Sequence, residues 1–223
     1  LAFVLISPCK LSVYGNKILN YIIQNPNAMR TTVSIILILL FATPVFAQTI
    51  PSKEIQVKTA LMAAPEEKRA GAMIYGYDAK GEWVVLRKGT NEMVCLADDP
   101  KSPGFNTSCY HSDLEPFMER GRKLKIEGKT VQQIFDIREA EAKSGKLKLP
   151  KSGATLYSLT AEAADFNANT GEVKNTYLRY VVYIPWGTPE TTGLPLKAYA
   201  PGMPWIMDPG THRAHIMINP PRD

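Results

Sequence analysis

An uncharged, strongly apolar run, Val33-Ser34-Ile35-Ile36-Leu37-Ile38-Leu39-Leu40-Phe41, contrasts with the chain beyond residue 50, where apolar residues alternate or recur at helical spacing. Met29-Arg30 places a positive charge ahead of that run, Pro44 breaks it, and Val45-Phe46-Ala47 puts small residues at the −3 and −1 positions of a cleavage site. These are the three parts of a secretory signal peptide, and the run is shorter than the ~20 apolar residues that a transmembrane helix needs. We therefore expect a signal peptide at 29–47, cleaved near Ala47. The remainder, 48–223, reads as a single exported globular domain, secreted or periplasmic, with no transmembrane anchor after cleavage. Residues 1–28 precede a plausible start at Met29 and contain no acidic residue, so they read as an upstream segment without a function of its own.

Downstream, Ser52 is placed to cap a helix over 53–63, whose apolar residues are Ile55, Leu61 and Met62 and which Pro65 ends. Alternation then predicts strands over 72–77 and 82–87, separated by the turn residues Asp78-Ala79-Lys80-Gly81, and a third strand over 92–96. The period next lengthens to that of a helix. Ser112-Asp113-Leu114-Glu115 has the form of a capping box, Leu114, Phe117, Met118 and Gly121 share a face, and Gly128 is a stop. Thr130-Val131-Gln132-Gln133 repeats the box, Val131, Ile134, Phe135 and Arg138 repeat the spacing, and Gly145 is the second stop. Strands over 154–159 and 176–184 follow across a turn-rich 165–171, the second rich in β-branched and aromatic residues and expected to be central. Strands on both sides of a helical pair predict an α+β fold. Its parts are a mainly antiparallel sheet, two antiparallel helices packed on it and a long ordered proline-rich C-terminal meander.

Eight of the chain's 17 prolines lie in 185–221, which excludes long helices and central strands over most of that segment. Yet Trp186, Leu194, Leu196, Tyr199, Met203, Trp205, Ile206 and Met207 are costly to leave in water, so the segment is expected to pack as ordered structure. A long ordered loop serves either as a ligand-facing wall or as cover for a sheet face or edge. Tyr183, Trp186, Tyr199 and Trp205, which combine contact area with a polar handle, join His212 and His215 as the candidate ligand-binding set. On a strand Tyr177 and Tyr183 share a face and Tyr180 takes the other, so part of the aromatic set is expected to be core.

Charge narrows the choice of partner. The formal charge of +5 falls to +2 once Lys10, Lys17 and Arg30 leave with the first 47 residues, which speaks against a nucleic-acid partner. Arg120, Arg122, Lys123 and Lys125 lie at the end of a predicted helix, where cations complement the macrodipole. Loss of Cys9 leaves Cys95 and Cys109, which we expect to form a disulfide worth roughly 3 kcal/mol on the chain-entropy model. Their spacing is far longer than the Cys-x-x-Cys of redox catalysts.

Catalytic chemistry has little footing. Gly-x-Ser-x-Gly and Ser-x-x-Lys are missing from 48–223, and no glycine-rich phosphate loop supports a nucleotide cofactor. Of the three histidines, His212 and His215 have the i, i+3 spacing of a helical metal pair, but Pro209-Gly210 before and Ile216-Met217-Ile218 after indicate a turn into a strand. His215 and His111 can still converge with an acid, Asp208 first and Asp98 or Asp99 otherwise, and such a set suits zinc. The leading expectation is non-catalytic binding of a small ligand or a cell-envelope partner through 185–215, with no cofactor. A metal-assisted hydrolase centred on His215 is one alternative, and a structural or interaction module without a small ligand is another.

Overall fold

The computed structural model describes residues 50–222; the expected signal peptide at 29–47, its boundary at Ala47 and the segment 1–28 lie outside the described residues. Ser52 accepts the Ile55 N–H and starts α1 (Lys53–Ala60), which tightens into a 3-10 turn at Leu61–Ala63. The buried residues of α1 are Gln56, Thr59 and Ala60, a mostly polar set. Gln56 is tolerated there because its amide acts as an extra strand neighbour: Nε2 donates to the carbonyls of Tyr77 (2.8 Å) and Pro51 (2.9 Å), and Oε1 accepts the Tyr77 N–H (2.8 Å). A one-turn helix α2 (Glu66–Arg69) follows.

β1 (Met73–Tyr77) and β2 (Trp83–Arg87) form the expected hairpin, its turn held by Asp78, whose Oδ1 accepts the N–H groups of Lys80 and Glu82, and by Gly81 at φ +75°. β3 (Met93–Leu96) returns parallel to β1, and β4 (Phe105–His111) pairs antiparallel with β3. After the helices α3 (Glu115–Ile126) and α4 (Val131–Lys143), β5 (Ala154–Ala161) pairs with β4. A small separate hairpin, β6 (Phe166–Asn167) with β7 (Glu172–Val173), occupies the expected turn region. Then come β8 (Tyr177–Tyr183), the short α5 (Pro189–Thr192), β9 (Trp205–Met207) and β10 (His215–Ile218). The eight-stranded sheet has the order β2-β1-β3-β4-β5-β8-β10-β9, antiparallel except at β1–β3, so the fold is α+β with a mainly antiparallel sheet.

Side chains alternate across this sheet and build a core on each face. One face gathers Ile74, Met93, Cys95, Phe105, Cys109 and Leu159 beneath α1 and its 3-10 extension. Cys95 and Cys109 face each other in register there, fully buried, with Cα atoms 4.1 Å apart and Sγ atoms at disulfide distance, 2.09 Å. The other face gathers Val94, Tyr110, Leu156 and Val181 with Leu114 and Met118 from the helical region.

The helical pair departs from its sequence pattern in instructive ways. Thr130 forms the capping box of α4 with Gln133, but Ser112 does not cap α3. Residues Ser112–Leu114 instead make a 3-10 turn capped by His111, whose Nδ1 accepts the Asp113 N–H, and α3 starts only at Glu115. Glu115 is diverted to the Tyr110 hydroxyl and the Arg122 guanidinium. Arg122 is therefore no helix-end cation: it is half-buried, paired with Glu115 and stacked over Tyr75 and Trp83. Arg120 reaches across to Glu141 on α4 (2.9 Å). Val131, which the spacing placed on the packed face, is 77% exposed.

The C-terminal region adds β10 and β9 to the sheet beyond β8. The expectation that its apolar residues are withdrawn from water holds for Ile206 (1% exposed) and fails for Leu196 (61%) and Tyr199 (71%). Among the described residues, no helix is long and apolar enough to cross a membrane.

Candidate functional site

Tyr183 ends β8 and His215 opens β10, and the antiparallel register places them side by side with rings stacked at 5.2 Å. The segment 208–214 that delivers His215 is braced from within. Asp208 takes a left-handed φ of +49°, its carbonyl accepts the Thr211 hydroxyl (2.8 Å), and its carboxylate accepts Arg213 Nε (2.7 Å). His215 Nδ1 lies 2.7 Å from the Arg213 carbonyl, which can only accept, so Nδ1 carries the proton and Nε2 is left as an acceptor.

His212 is fully buried between Phe117 on α3 (5.7 Å) and Phe135 on α4 (4.8 Å). Its Nδ1 donates to Glu139 Oε2 at 3.2 Å, while Nε2 has no hydrogen-bond partner among the described residues. Burial lowers the pKa of both His212 and His215, against the opposing pull of Glu139 on the first and of the Arg213 carbonyl on the second. Both rings are thus neutral at neutral pH.

Arg138 on α4 completes the cluster. It is 8% exposed, its guanidinium carbon lies over the Phe117 ring at 3.9 Å from the centroid, and Nη1 donates to the Phe117 carbonyl at 3.3 Å, yet Nε has no partner and no carboxylate pairs with it among the described residues. Burial, with the charge of Arg213 nearby, pushes its pKa down to about 10, so it remains a cation at physiological pH. Gly121 makes this approach possible, because a Cβ there would meet Arg138 Nη1 at 2.9 Å.

Of the residues singled out from the sequence, the structure brings together Tyr183, His212, His215 and, through Arg213, Asp208. Trp186 flanks them on the next stretch of chain, at φ +67° and 39% exposed, with its N–H donated to the Thr211 carbonyl. Trp205 lies on β9, one strand beyond His215, and Tyr199 stands apart in solvent beside Lys197. His111 is on β4, three strand spacings or about 14 Å from β10, and so does not approach His215. No cluster of three or more His, Cys, Asp or Glu side chains able to hold a metal exists among the described residues. Arg138 enters the sequence pattern only as a member of the helical stripe with Val131, Ile134 and Phe135, and its charge in that apolar stripe is the signal that marks it as a site residue.

Comparison with family models, with curated proteins and with solved structures finds no match.

Proposed function

We propose that this is an exported, non-catalytic binding domain that holds a small organic anion, carboxylate- or phosphate-bearing, at the Arg138–Tyr183–His215 cluster beside the 185–215 segment. The observation that carries the reading is Arg138, a guanidinium removed from water without a counter-charge among the described residues. Leaving a buried charge uncompensated costs several kcal/mol, and an anionic ligand group removes that cost. Two neutral imidazoles and a phenol beside a fixed cation offer orientation and selectivity, whereas no nucleophile accompanies them. Export is supported by the signal-peptide pattern at 29–47 and by a cysteine pair at disulfide distance.

The test compares the full chain with Arg138→Met in thermal unfolding against inorganic phosphate, succinate and benzoate. A ligand at a hundred times its Kd stabilises by about 2.7 kcal/mol. At least one anion should raise the wild-type midpoint with saturation and leave Arg138→Met unmoved, while the unliganded variant is as stable as wild type or more so. An Arg138→Met protein that is strongly destabilised, with no anion shifting the wild type, would reduce Arg138 to a packing residue and overturn the proposal.

A further inference from the structure

The apolar contacts of the helical region occupy one end of the sheet face that carries Tyr183. One row further along, the same face turns polar: Ser108, Ser158 and Arg179 are register neighbours across β4, β5 and β8. On the other side of Arg179 the pairing of Ile218 with Tyr180 brings Asn219 opposite Arg179, and Trp205 pairs with Met217 one row back. The two-residue repeat places Asn219 and Trp205 on the face that Met217 shares with Val181 and Arg179.

Three polar atoms in these neighbouring positions are buried without a hydrogen-bond partner among the described residues: Arg179 Nε, Trp205 Nε1 and Asn219 Oδ1. Each such group is costly to leave unpaired, and a single ligand that spans the three satisfies them together. Their pattern is two donors, one of them cationic, and one acceptor. A second cation is at hand, since Arg222 lies over the Tyr177 ring at 4.5 Å and Arg179 over the same ring at 5.9 Å. The Tyr177 hydroxyl holds this end of the chain by donating to the Pro220 carbonyl at 2.9 Å.

We infer that this polar cluster is a second binding site, distinct from the Arg138 cluster, for the carboxylate end of a sugar acid. The carboxylate accepts from Arg179 and Trp205, the adjoining hydroxyl donates to Asn219, and the Ser158 and Ser108 hydroxyls meet the rest of the ring. A bare anion leaves Asn219 unsatisfied, and a neutral sugar leaves Arg179 without its counter-charge.

The experiment titrates the full chain with D-glucuronate, D-glucose and acetate while following the indole N–H resonance of Trp205, assigned by its loss in Trp205→Phe. Glucuronate should move that resonance with saturation, with glucose and acetate each at least tenfold weaker. Arg179→Gln should weaken glucuronate at least tenfold and Arg138→Met leave it unchanged, which separates this site from the one proposed above. If Arg179→Gln does not fold, Asn219→Asp serves, because its charge opposes the carboxylate and should produce the same loss. A Trp205 resonance that glucuronate leaves in place, an equal response to acetate, or unaltered glucuronate binding in the variants would overturn the assignment.

Discussion

Asp98 shows how burial acts on one carboxyl. It follows β3, its Oδ1 accepts the Asn106 N–H at 2.8 Å, and burial drives its pKa up to about 6, with Asp99 adding and the Asn106 N–H opposing. An unfolded aspartate titrates near 4, so between about pH 4 and 6 the folded chain keeps a proton that the unfolded chain has lost. Stability from this group is complete below that window and declines as pH rises through it. Two pKa units correspond to about 3 kcal/mol, but Asp98 is only half-buried, and screening reduces this to about 1 kcal/mol. Asp98→Asn keeps the acceptor for Asn106 and cannot ionise. Its stability relative to wild type should therefore rise by about 1 kcal/mol between pH 4 and pH 7 in urea unfolding, and a difference independent of pH would contradict the assignment.

At the scale of elements, two capping boxes with similar lettering have opposite fates. Thr130 accepts the Gln133 N–H at 3.2 Å and Gln133 Oε1 accepts the Thr130 N–H at 2.9 Å, so Thr130→Ala should cost about 1 kcal/mol. Ser112→Ala should change stability by less than about 0.5 kcal/mol, because α3 starts three residues later and its helix lacks a side-chain cap. Matched chemical denaturation of the two variants measures the contrast. The difference is tertiary: Glu115, the acid that would close the first box, is engaged by Tyr110 and Arg122. The same boundary separates what was legible in the sequence from what was not. Local signals placed the Asp78 turn, the Thr130 cap and the alternation of β8. β4 is poorly marked in Phe-Asn-Thr-Ser-Cys-Tyr-His because, of the alternating buried positions Phe105, Thr107 and Cys109, only Phe105 is a large apolar residue. The candidate site was half visible: the aromatic and histidine residues were named, but their grouping depends on the β8–β10 register. The burial of Arg138 depends on a contact between two helices.

The molecule as a whole is divided by its connectivity. β2, β1 and β3 join the remaining five strands of the sheet by backbone pairing only through β3–β4. The Cys95–Cys109 pair sits on that seam, fully buried at a sequence separation of 14, while α1 packs across both sides of it. In the chain-entropy account, a closed loop of this length contributes roughly 3 kcal/mol by restricting the unfolded state. Opening the seam should also matter locally, since β1 and β2 lie outside it and depend on β3 for their place in the sheet. Replacing both cysteines by alanine should therefore lower global stability by at least about 3 kcal/mol and let the amides of β1–β3 exchange earlier than those of β5 and β8. Hydrogen exchange read strand by strand distinguishes this from a sheet that opens as one unit. Equal loss of protection in β1 and β8 would mean that α1 alone holds the two parts together, and that the disulfide restrains only the unfolded chain.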